Sequence, residues 1–540
     1  MPQVARLEVK SRPARVAARA HRWLLLVAAL CILRLWGAPL VSSFWVDEMG
    51  TVFVVQHGAN DPTLRVAPQV PASIYYALPA IGRRILGHSE FAYRLPSLLA
   101  MVVALFFIGK IAARLIHPDA AWFAVFASFF LRDFNFEAAD ARPYALATCV
   151  AAAALFFLIR WMDSARWRDA AVFAVLAALL WRVHLTLWPI YLLFAIYTAA
   201  RLLRHETAVG WARATLVFVA IGLALVPVLW TALDILRGAK AHVVADEPDT
   251  ADLSRALRLS LIVPICAGAA LVARWFSTEP GWKPAAPIAS PDAWTLILGW
   301  WLVHPLAIYA FSKITGNSLF VPRYLYVAMP GAVLVGTLAA AAFIPASQWR
   351  NIALAIGILA LATMGRWTRP ALEHSGSDWR AAAQALRQAA GASDAPVVCP
   401  SPFIEARWPV WRPDYPIASF LYAQLLYYRV PGKPYPFPYT TWAGAGPEAT
   451  AYAAGLARGD LARAGRFFIY GGDRGAGFWR TFFSARPEFA GWYERRVALY
   501  GDVEVDEFSA KPPAPTASPV ERVPAAAPAP LPSGASVTGR

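Results

Sequence analysis

Two adjacent acids, Asp47 and Glu48, are the first residues of this sequence that could act as catalysts. They stand shortly after a long apolar run, Trp23 to Val41. A carboxylate beside the hydrocarbon of a bilayer is costly unless water, a cation or a substrate receives it. The pair therefore fits a general base or a metal ligand in a cavity at the membrane surface. A solvated loop pair, or a cap for a helix that begins near Met49, accounts for it equally well.

A second cluster combines acids with an arginine. Glu137, Asp140 and Arg142 fall within six positions, immediately before Pro143, a residue that suits the first turn of a helix. Asp140 and Arg142 could serve only the electrostatics of that helix start. Successive apolar runs nevertheless place this cluster on the same membrane face as the first acid pair. Two carboxylate sites and an arginine on one face suit an anionic substrate.

A third cluster is rich in cations and consists of Lys313, Asn317, Arg323 and Tyr324. Basic side chains in such loops can simply anchor a protein to lipid headgroups. They could also hold a lipid-linked phosphate, to which arginine offers a planar fork of donors and lysine a point charge. His184 and His304 are single histidines at predicted helix ends, and we interpret them as structural.

The elements that position these residues are membrane helices. Of the 540 residues, 58% are hydrophobic and 16% are charged, whereas a soluble protein is about a quarter charged. Apolar runs long enough to cross a bilayer recur from Trp23 to near Met364 and predict about eleven transmembrane helices. The first run is too long, and lacks a convincing cleavage site, for a removed signal peptide. We therefore expect it to remain as a helix.

The net charge of +16 at pH 7 does not indicate a nucleic-acid partner. The basic residues lie largely in short loops and at helix ends, where lipid headgroups and the positive-inside rule place them. The four cysteines are scattered, so no pair predicts a metal site or a disulfide.

The charge pattern also predicts the topology. Residues 1–22 are basic and predict a cytoplasmic N-terminus. Residues 23–367 form the predicted transmembrane domain, whose long first outer loop covers residues 42–93. Within that loop, two short amphipathic segments, near Glu48 to His57 and Ser73 to Leu86, suit the plane of the membrane interface.

An odd number of helices places the C-terminal part outside the cytoplasm. Residues 374–508 have ordinary polarity, with a helical pattern that ends at Gly391 and strand patterns in APVVCP, RFFIYGG and RRVALYG. They predict a small soluble extracytoplasmic α/β domain. Residues 511–540 are dominated by Pro, Ala and Ser and predict a disordered tail.

Taken together, these motifs resemble the GT-C glycosyltransferases. They are most similar to the protein O-mannosyltransferase-like branch, which also includes bacterial sugar transferases of lipid A and lipopolysaccharide. The matching residues are Asp47-Glu48, Ser89-Glu90-Phe91 with Arg94-Leu95-Pro96, Asp140-Ala141-Arg142-Pro143-Tyr144-Ala145-Leu146, and Arg323-Tyr324-Leu325 with Pro330. The resemblance covers about residues 20–330. It departs from many members at Val70-Pro71-Ala72, where they have His-Pro-Pro.

The resemblance implies a polyprenyl-phosphate sugar donor and an acceptor outside the cytoplasm, which could be a protein, a lipid or a polysaccharide. Asp47 matches the family's catalytic base, with Glu48 or Asp140 as its orienting partner or a metal ligand. The family usually has Glu where this chain has Asp140, so Glu137 is an alternative. No cofactor is certain, and a divalent cation at Glu48, Glu137 and Asp140 stays open, because no ligand spacing is diagnostic.

The expected substrate-binding residues are Arg142, Tyr144, Arg323, Tyr324, Lys313 and Arg94. The arginines and the lysine would neutralise the phosphate, while the helices provide an apolar groove for the prenyl chain. The expected location is the bacterial inner membrane, with the active site facing outward.

Two other classes of function compete with an enzyme. A lipid-carrier transporter or flippase would place charges along a path through the middle of the membrane. Here the acids concentrate at one face, and charge inside a predicted helix is mostly limited to Arg34. A scaffold or receptor would leave those acids unexplained, so we favour the transferase.

Overall fold

The computed structural model describes residues 14–242, 245–276, 290–345, 347–365, 374–440, 444–512 and 520–522. Its α-helices, numbered along the chain, are α1 (Ala14–Ile32), α2 (Val46–His57), α3 (Ala77–Leu86), α4 (Glu90–Leu115), α5 (Ala120–Ser128), α6 (Arg132–Ala138), α7 (Tyr144–Ser164), α8 (Trp167–Val183), α9 (Pro189–Leu203), α10 (Trp211–His242), α11 (Thr250–Ala256), α12 (Leu259–Phe276), α13 (Pro291–Thr315), α14 (Met329–Ala341), α15 (Trp349–Thr363), α16 (Trp379–Ala390), α17 (Ala423–Tyr427), α18 (Pro447–Leu456), α19 (Ala462–Ala464) and α20 (Asp473–Ser484).

The chain folds as two compact units. The first unit draws on Met1–Val41 and Ala72–Leu372, and the second on Ser42–Pro71 and Glu373–Arg540. The first half of the predicted outer loop therefore belongs with the C-terminal domain, whereas we expected the whole loop to belong with the membrane helices. The cause is packing within the second unit, where α2 lies against α17.

The first unit is a polytopic helical membrane fold, as the sequence predicts. Within the described ranges, seven segments are long and apolar enough to span a bilayer, or eight if the bent pair α11 and α12 is one span. The predicted number of about eleven is not confirmed. The helices α5, α8 and α15 have 9, 17 and 15 residues, fewer than the about 20 residues of a typical span.

Two helices differ in extent from what the sequence suggests. The stretch from Ala120 to Phe136, which the count of about eleven takes as one helix, is broken, because α5 ends at Ser128 and α6 begins only at Arg132. In contrast, α10 continues to His242, beyond the start of the polar stretch at Asp234, and this extension leaves the number of spans unchanged.

Small residues let the helices of the first unit approach closely. The helix α7 packs against α4 and α8, and its alanines at 151–154 are buried. Gly331 of α14 lies directly on α13, because a Cβ atom at this position would stand 2.3 Å from the backbone nitrogen of Trp301. Only glycine permits this contact between the two helices.

A network of ion pairs joins four helices at one end of the first unit. Arg201 on α9 binds Asp163 of α7 at 2.9 Å and Asp292 of α13 at 3.2 Å. Asp163 also accepts a hydrogen bond from Arg114 of α4, with an Nε–Oδ2 distance of 2.8 Å. Because Arg201 is buried and has two carboxylate partners, its charge is compensated where it lies.

The second unit contains a mixed sheet. Its strands are β1 (Pro396–Pro400), β2 (Lys433–Phe437), β3 (Arg466–Gly472), β4 (Tyr493–Tyr500), β5 (Val503–Ser509) and β6 (Val520–Arg522). Their order is β2-β1-β3-β5-β4-β6, with β1 parallel to β2 and β3 and the other pairs antiparallel. The predicted α/β character of this part is confirmed.

Several predicted elements of this unit are present. The helix α16 ends at Gly391, whose φ of +59° lies in the left-handed region. The three predicted strands correspond to β1, β3 and β4. The short strand β6 falls inside the predicted disordered tail and pairs with β4, so that prediction was wrong for Val520–Arg522. The tail's remaining residues 513–519 and 523–540, and residues 1–13 of the basic N-terminus, lie outside the described residues.

Both predicted loop helices form, with different surroundings. The helix α2 is buried from Glu48 to Val54, so it is a core helix rather than an amphipathic interface helix. The helix α3 keeps exposed apolar side chains at Ile81, Ile85 and Leu86, in agreement with a position at the membrane interface.

Candidate functional site

The first unit brings two arginines and three aromatic rings into one cluster, which consists of Arg142, Tyr144, His184, Arg323 and Tyr324. The His184 ring contacts both tyrosine rings, with centroid distances of 5.3 Å to Tyr144 and 5.1 Å to Tyr324. The two tyrosine rings are 6.3 Å apart. Each guanidinium lies near the adjacent tyrosine ring, Arg142 at 5.9 Å from Tyr144 and Arg323 at 5.6 Å from Tyr324.

Local sequence explains how each member is positioned. Arg142 precedes Pro143, whose fixed φ starts α7, so that Tyr144 becomes the first residue of the helix. Arg323 and Tyr324 lie on a 3₁₀ turn, Pro322–Ala328, which leads directly into α14. The four predicted residues Arg142, Tyr144, Arg323 and Tyr324 are therefore brought together from segments that are far apart in sequence.

His184 occupies the joint between α8 and the next 3₁₀ turn, one residue before a candidate span. Its Nδ1 lies 2.7 Å from the hydroxyl of Thr186 and accepts a longer hydrogen bond, 3.4 Å, from the Thr186 backbone N–H. Since Nδ1 is an acceptor, the hydrogen of the neutral ring is on Nε2. Burial, followed by the charges of Arg142 and Arg323, lowers the pKa of His184 to about 3.

A second histidine supports the cluster from α13. The buried His304 donates from Nε2 to the backbone carbonyl of Tyr324 at 2.9 Å. This hydrogen bond agrees with the structural role expected for His304. The sequence did not indicate His184 as a member of the cluster. The available signal was its predicted position at the outer end of a helix, on the face that carries the arginines.

Ser73 and Tyr75, which precede α3, take part in hydrogen bonds that hold the backbone at Val183 and Arg142. Ser73 donates to the carbonyl of Val183 at 2.6 Å, next to His184. The hydroxyl of Tyr75 lies 2.9 Å from that of Ser97, which donates a long hydrogen bond of 3.5 Å to the carbonyl of Arg142. These bonds connect the cluster to α4, and sequence reasoning missed all three side chains.

The acids of the second predicted cluster also lie in the first unit. Glu137 and Asp140 are buried, with 2% and 0% exposure. Their charges act on the Tyr326 phenol, and so does the charge of Arg323. Glu137, Asp140 and Arg323 therefore lie within electrostatic range of one side chain, and the catalytic or metal-binding roles of the two acids stay predictions.

Two predicted substrate-binding residues have other contacts. Lys313 forms an ion pair with Glu247 at 2.7 Å, and both side chains are largely exposed. Arg94 is fully buried and donates from one nitrogen to the carbonyl of Pro39 at 3.0 Å. This bond ties α4 to the end of the first span. Roles of Lys313 and Arg94 in substrate binding stay predictions.

The first acid pair lies in the second unit, in the first turn of α2. Glu48 accepts a hydrogen bond from the backbone N–H of Trp45 at 3.2 Å, which caps the helix. Glu48 therefore helps to cap a helix, as one alternative expects, although that helix begins at Val46 rather than near Met49. A catalytic or metal-binding role of Glu48 stays a prediction. The expectation that Asp47 shares a pocket with Asp140 and Arg142 stays a prediction, as does a divalent-cation site formed by Glu48, Glu137 and Asp140.

Comparison with known proteins finds a family that matches part of this chain and a solved structure with a similar fold. Residues 71–230 match the family described as dolichyl-phosphate-mannose-protein mannosyltransferase. The fold is similar to the crystal structure of ArnT from Cupriavidus metallidurans in the apo state, at 12% identity and a TM-score of 0.51, with 92% of this chain and 100% of that chain covered. The ArnT structure bound to undecaprenyl phosphate has 11% identity and a TM-score of 0.49, with 90% and 98% covered. No curated protein matches the chain in sequence at a significant level.

The family match contains Asp140, Arg142, Tyr144 and His184, and it ends before Arg323. The likeness in fold extends over nearly the whole chain. The match shows that residues 71–230 resemble the mannosyltransferase family, and the likeness in structure shows an ArnT-like fold over nearly the whole chain.

Proposed function

We propose that this protein is a glycosyltransferase that takes its sugar from a polyprenyl-phosphate donor and transfers it to an acceptor outside the cytoplasm. The observation that carries the proposal is the meeting of Arg142 and Arg323 around the rings of Tyr144, His184 and Tyr324. We further propose that the protein lies in a bacterial inner membrane with this cluster at the outer face.

The chemistry of the cluster suits a phosphate in an apolar setting. Guanidinium groups give charge-assisted, directional hydrogen bonds to phosphate oxygens. An arginine beside an aromatic ring also gains cation–π attraction, which limits the number of positions that the guanidinium samples. Two such arginines from separate segments can hold one anion from two sides, and the membrane helices around them can receive a prenyl chain.

The reaction needs a base but no separate acid. A phosphate leaves as an anion, so fixed cations such as Arg142 and Arg323 stabilise the charge that develops on departure. The acceptor hydroxyl oxygen forms a bond to the anomeric carbon while the bond from that carbon to the phosphate oxygen breaks. The hydroxyl proton passes to a carboxylate, which we assign to Asp47. Attack from the face opposite the phosphate inverts the anomeric configuration.

Steady-state kinetics of the purified protein in lipid nanodiscs test the phosphate site. Arg323→Ala should raise the KM for a polyprenyl-phosphate sugar about 10- to 100-fold, because one charge-assisted contact is lost. Arg168→Ala is the matched control. Arg168 is exposed at the start of α8, whereas His184 directly follows the end of that helix, roughly 25 Å away. A donor KM that Arg323→Ala leaves unchanged would remove Arg323 from the phosphate site.

The competing function is a flippase for a lipid carrier. A reconstituted assay that measures both sugar transfer and movement of a labelled polyprenyl phosphate between leaflets separates the two functions. The proposal expects transfer to depend on Arg142 and Arg323. Movement of the lipid without any transfer, across a panel of sugar donors, would favour the flippase.

A further inference from the structure

We propose that His184 is a third ligand of the lipid-linked phosphate, a neutral imidazole whose Nε2–H donates to a phosphate oxygen between Arg142 and Arg323. This inference rests on the function proposed for the cluster and adds a ligand that differs in kind from the two arginines.

The position of His184 is the first argument. Its ring is in contact with both tyrosines, at 5.3 Å and 5.1 Å between centroids, and the tyrosine rings are 6.3 Å apart, so the three rings form one compact group. Arg142 is two residues from Tyr144, and Arg323 is adjacent to Tyr324. The charges of both arginines act on the imidazole. An anion that these arginines share would therefore lie beside the ring.

The hydrogen bonds of the ring are the second argument. The backbone N–H and the hydroxyl of Thr186 both lie at Nδ1, so that nitrogen is fixed as the acceptor. Nε2–H has no hydrogen-bond acceptor among the residues that the structure describes, and the residue, although largely covered, keeps part of its surface exposed. The hydrogen bonds at Nδ1 fix the orientation of the ring. The hydrogen on Nε2 is then available to an acceptor on an incoming ligand.

The charge state is the third argument. Two arginines and burial oppose a positive charge on His184, so the ring stays neutral at physiological pH. A neutral donor adds a hydrogen bond to the phosphate without the desolvation cost of a third cation. It also leaves the net charge of the site unchanged, which helps the phosphate product to be released after the sugar has moved.

The backbone at His184 is held from two sides. Ser73 donates to the Val183 carbonyl at 2.6 Å, and Thr186 binds the ring directly. These contacts fix where the ring lies relative to Arg142, whose own carbonyl accepts from Ser97. The imidazole is therefore positioned by the fold before any ligand arrives.

Binding of farnesyl phosphate and of farnesol to the purified protein tests the proposal. His184→Phe keeps an aromatic ring against both tyrosines and removes the donor, so farnesyl phosphate should bind about 10- to 100-fold more weakly. Farnesol, which has no phosphate, should bind within about threefold of the wild-type affinity. His184→Gln places an amide N–H near the position of Nε2 and should recover most of the phosphate affinity, whereas His184→Asn, whose amide mimics Nδ1, should not.

The outcomes separate this inference from the function on which it rests. If the wild-type protein binds farnesol as tightly as farnesyl phosphate, the phosphate site itself is wrong. If the wild type prefers farnesyl phosphate and His184→Phe keeps that preference, only the role of His184 is overturned. Equal weakening of both ligands in His184→Phe, without recovery in His184→Gln, would show a packing role and would also overturn the proposal.

Discussion

His304 donates a hydrogen bond from its buried Nε2 to the backbone carbonyl of Tyr324, at 2.9 Å. The bond joins α13 to the 3₁₀ turn that carries Arg323 and Tyr324. A carbonyl can only accept, so the hydrogen of the His304 ring must be on Nε2. The position of the proposed phosphate ligand Arg323 therefore depends on a side chain that need not touch the substrate.

Loss of this bond should weaken donor binding more than it slows turnover. His304→Leu removes the donor and leaves the Tyr324 carbonyl without it, so we expect the donor KM to rise about 3- to 10-fold with a smaller change in kcat. His304→Gln can donate from a similar position and should recover most of the wild-type KM. A fall in kcat alone, or no recovery in His304→Gln, would contradict a positioning role.

Gly331 should be intolerant of even one added carbon. A Cβ atom would lie 2.3 Å from the Trp301 nitrogen and 2.7 Å from the Trp300 carbonyl carbon, and neither backbone atom can rotate away. Gly331→Ala should therefore push α14 from α13 and destabilise the protein by about 1–3 kcal/mol. The thermal unfolding midpoint in detergent measures the effect.

Gly336 provides the control for this prediction within the same helix. A Cβ atom at Gly336 would meet nothing within 4 Å. Gly336→Ala should be neutral or slightly stabilising, because alanine favours a helix by up to about 1 kcal/mol over glycine. Equal unfolding midpoints for the two variants would show that the contact between Gly331 and α13 is not tight.

Asp47 and Glu48 should respond differently to loss of charge. Asp47→Asn keeps the shape of the side chain and removes its basicity, so kcat should fall about 10²- to 10⁴-fold with little change in donor KM. Glu48→Gln keeps an oxygen that can accept from the Trp45 N–H and should preserve the cap of α2. Glu48→Ala removes this acceptor and should cost about 1 kcal/mol of stability.

Single-turnover measurements with a saturating donor separate these effects. Wild-type turnover in purified Asp47→Asn would overturn its assignment as the base. A larger loss of kcat in Glu48→Gln than in Asp47→Asn would transfer that role to Glu48.

Sequence reasoning succeeded where the determining signals are local. The helix that ends at Gly391 and the strand Pro396–Pro400 are specified by their own residues, through a helix-ending glycine and a run of branched side chains. The predicted count of spans is not confirmed, because an apolar run shows that a segment can be buried in a membrane, but not whether its helix breaks. The chain breaks after Ser128, within an apolar run long enough for one helix.

The central histidine of the site could not be predicted from local signals. His184 is 40 residues from Tyr144 and 140 from Tyr324, so only the folded chain reveals their contact. The strand Val503–Ser509 was missed for a related reason. Its acids suggest a solvated segment, but Glu504 and Asp506 are buried beside arginines from other elements.

Asp506 should make the second unit less stable as the pH rises. The side chain is fully buried, and burial followed by the charge of Glu504 raises its pKa to about 8 from the usual 3.8. Arg480, at 3.5 Å, opposes this shift only in part. Between about pH 4 and 8 the unfolded chain has lost the proton that the folded chain still holds, so ionisation favours unfolding as the pH increases.

Asp506→Asn cannot ionise and should remove most of this dependence. We expect the stability of the wild type to fall relative to Asp506→Asn by on the order of 2 kcal/mol between pH 5 and pH 8. Hydrogen exchange of the β3 and β5 amides in the full-length protein, corrected for intrinsic rates, measures the difference.

Asp460→Asn is the control with the opposite sign. Hydrogen bonds from Tyr435 and Lys433 lower the pKa of Asp460 to about 2, so its contribution is already complete at pH 5. Wild-type protection that is constant from pH 5 to pH 8, or that rises, would show that Asp506 is ionised in the folded protein.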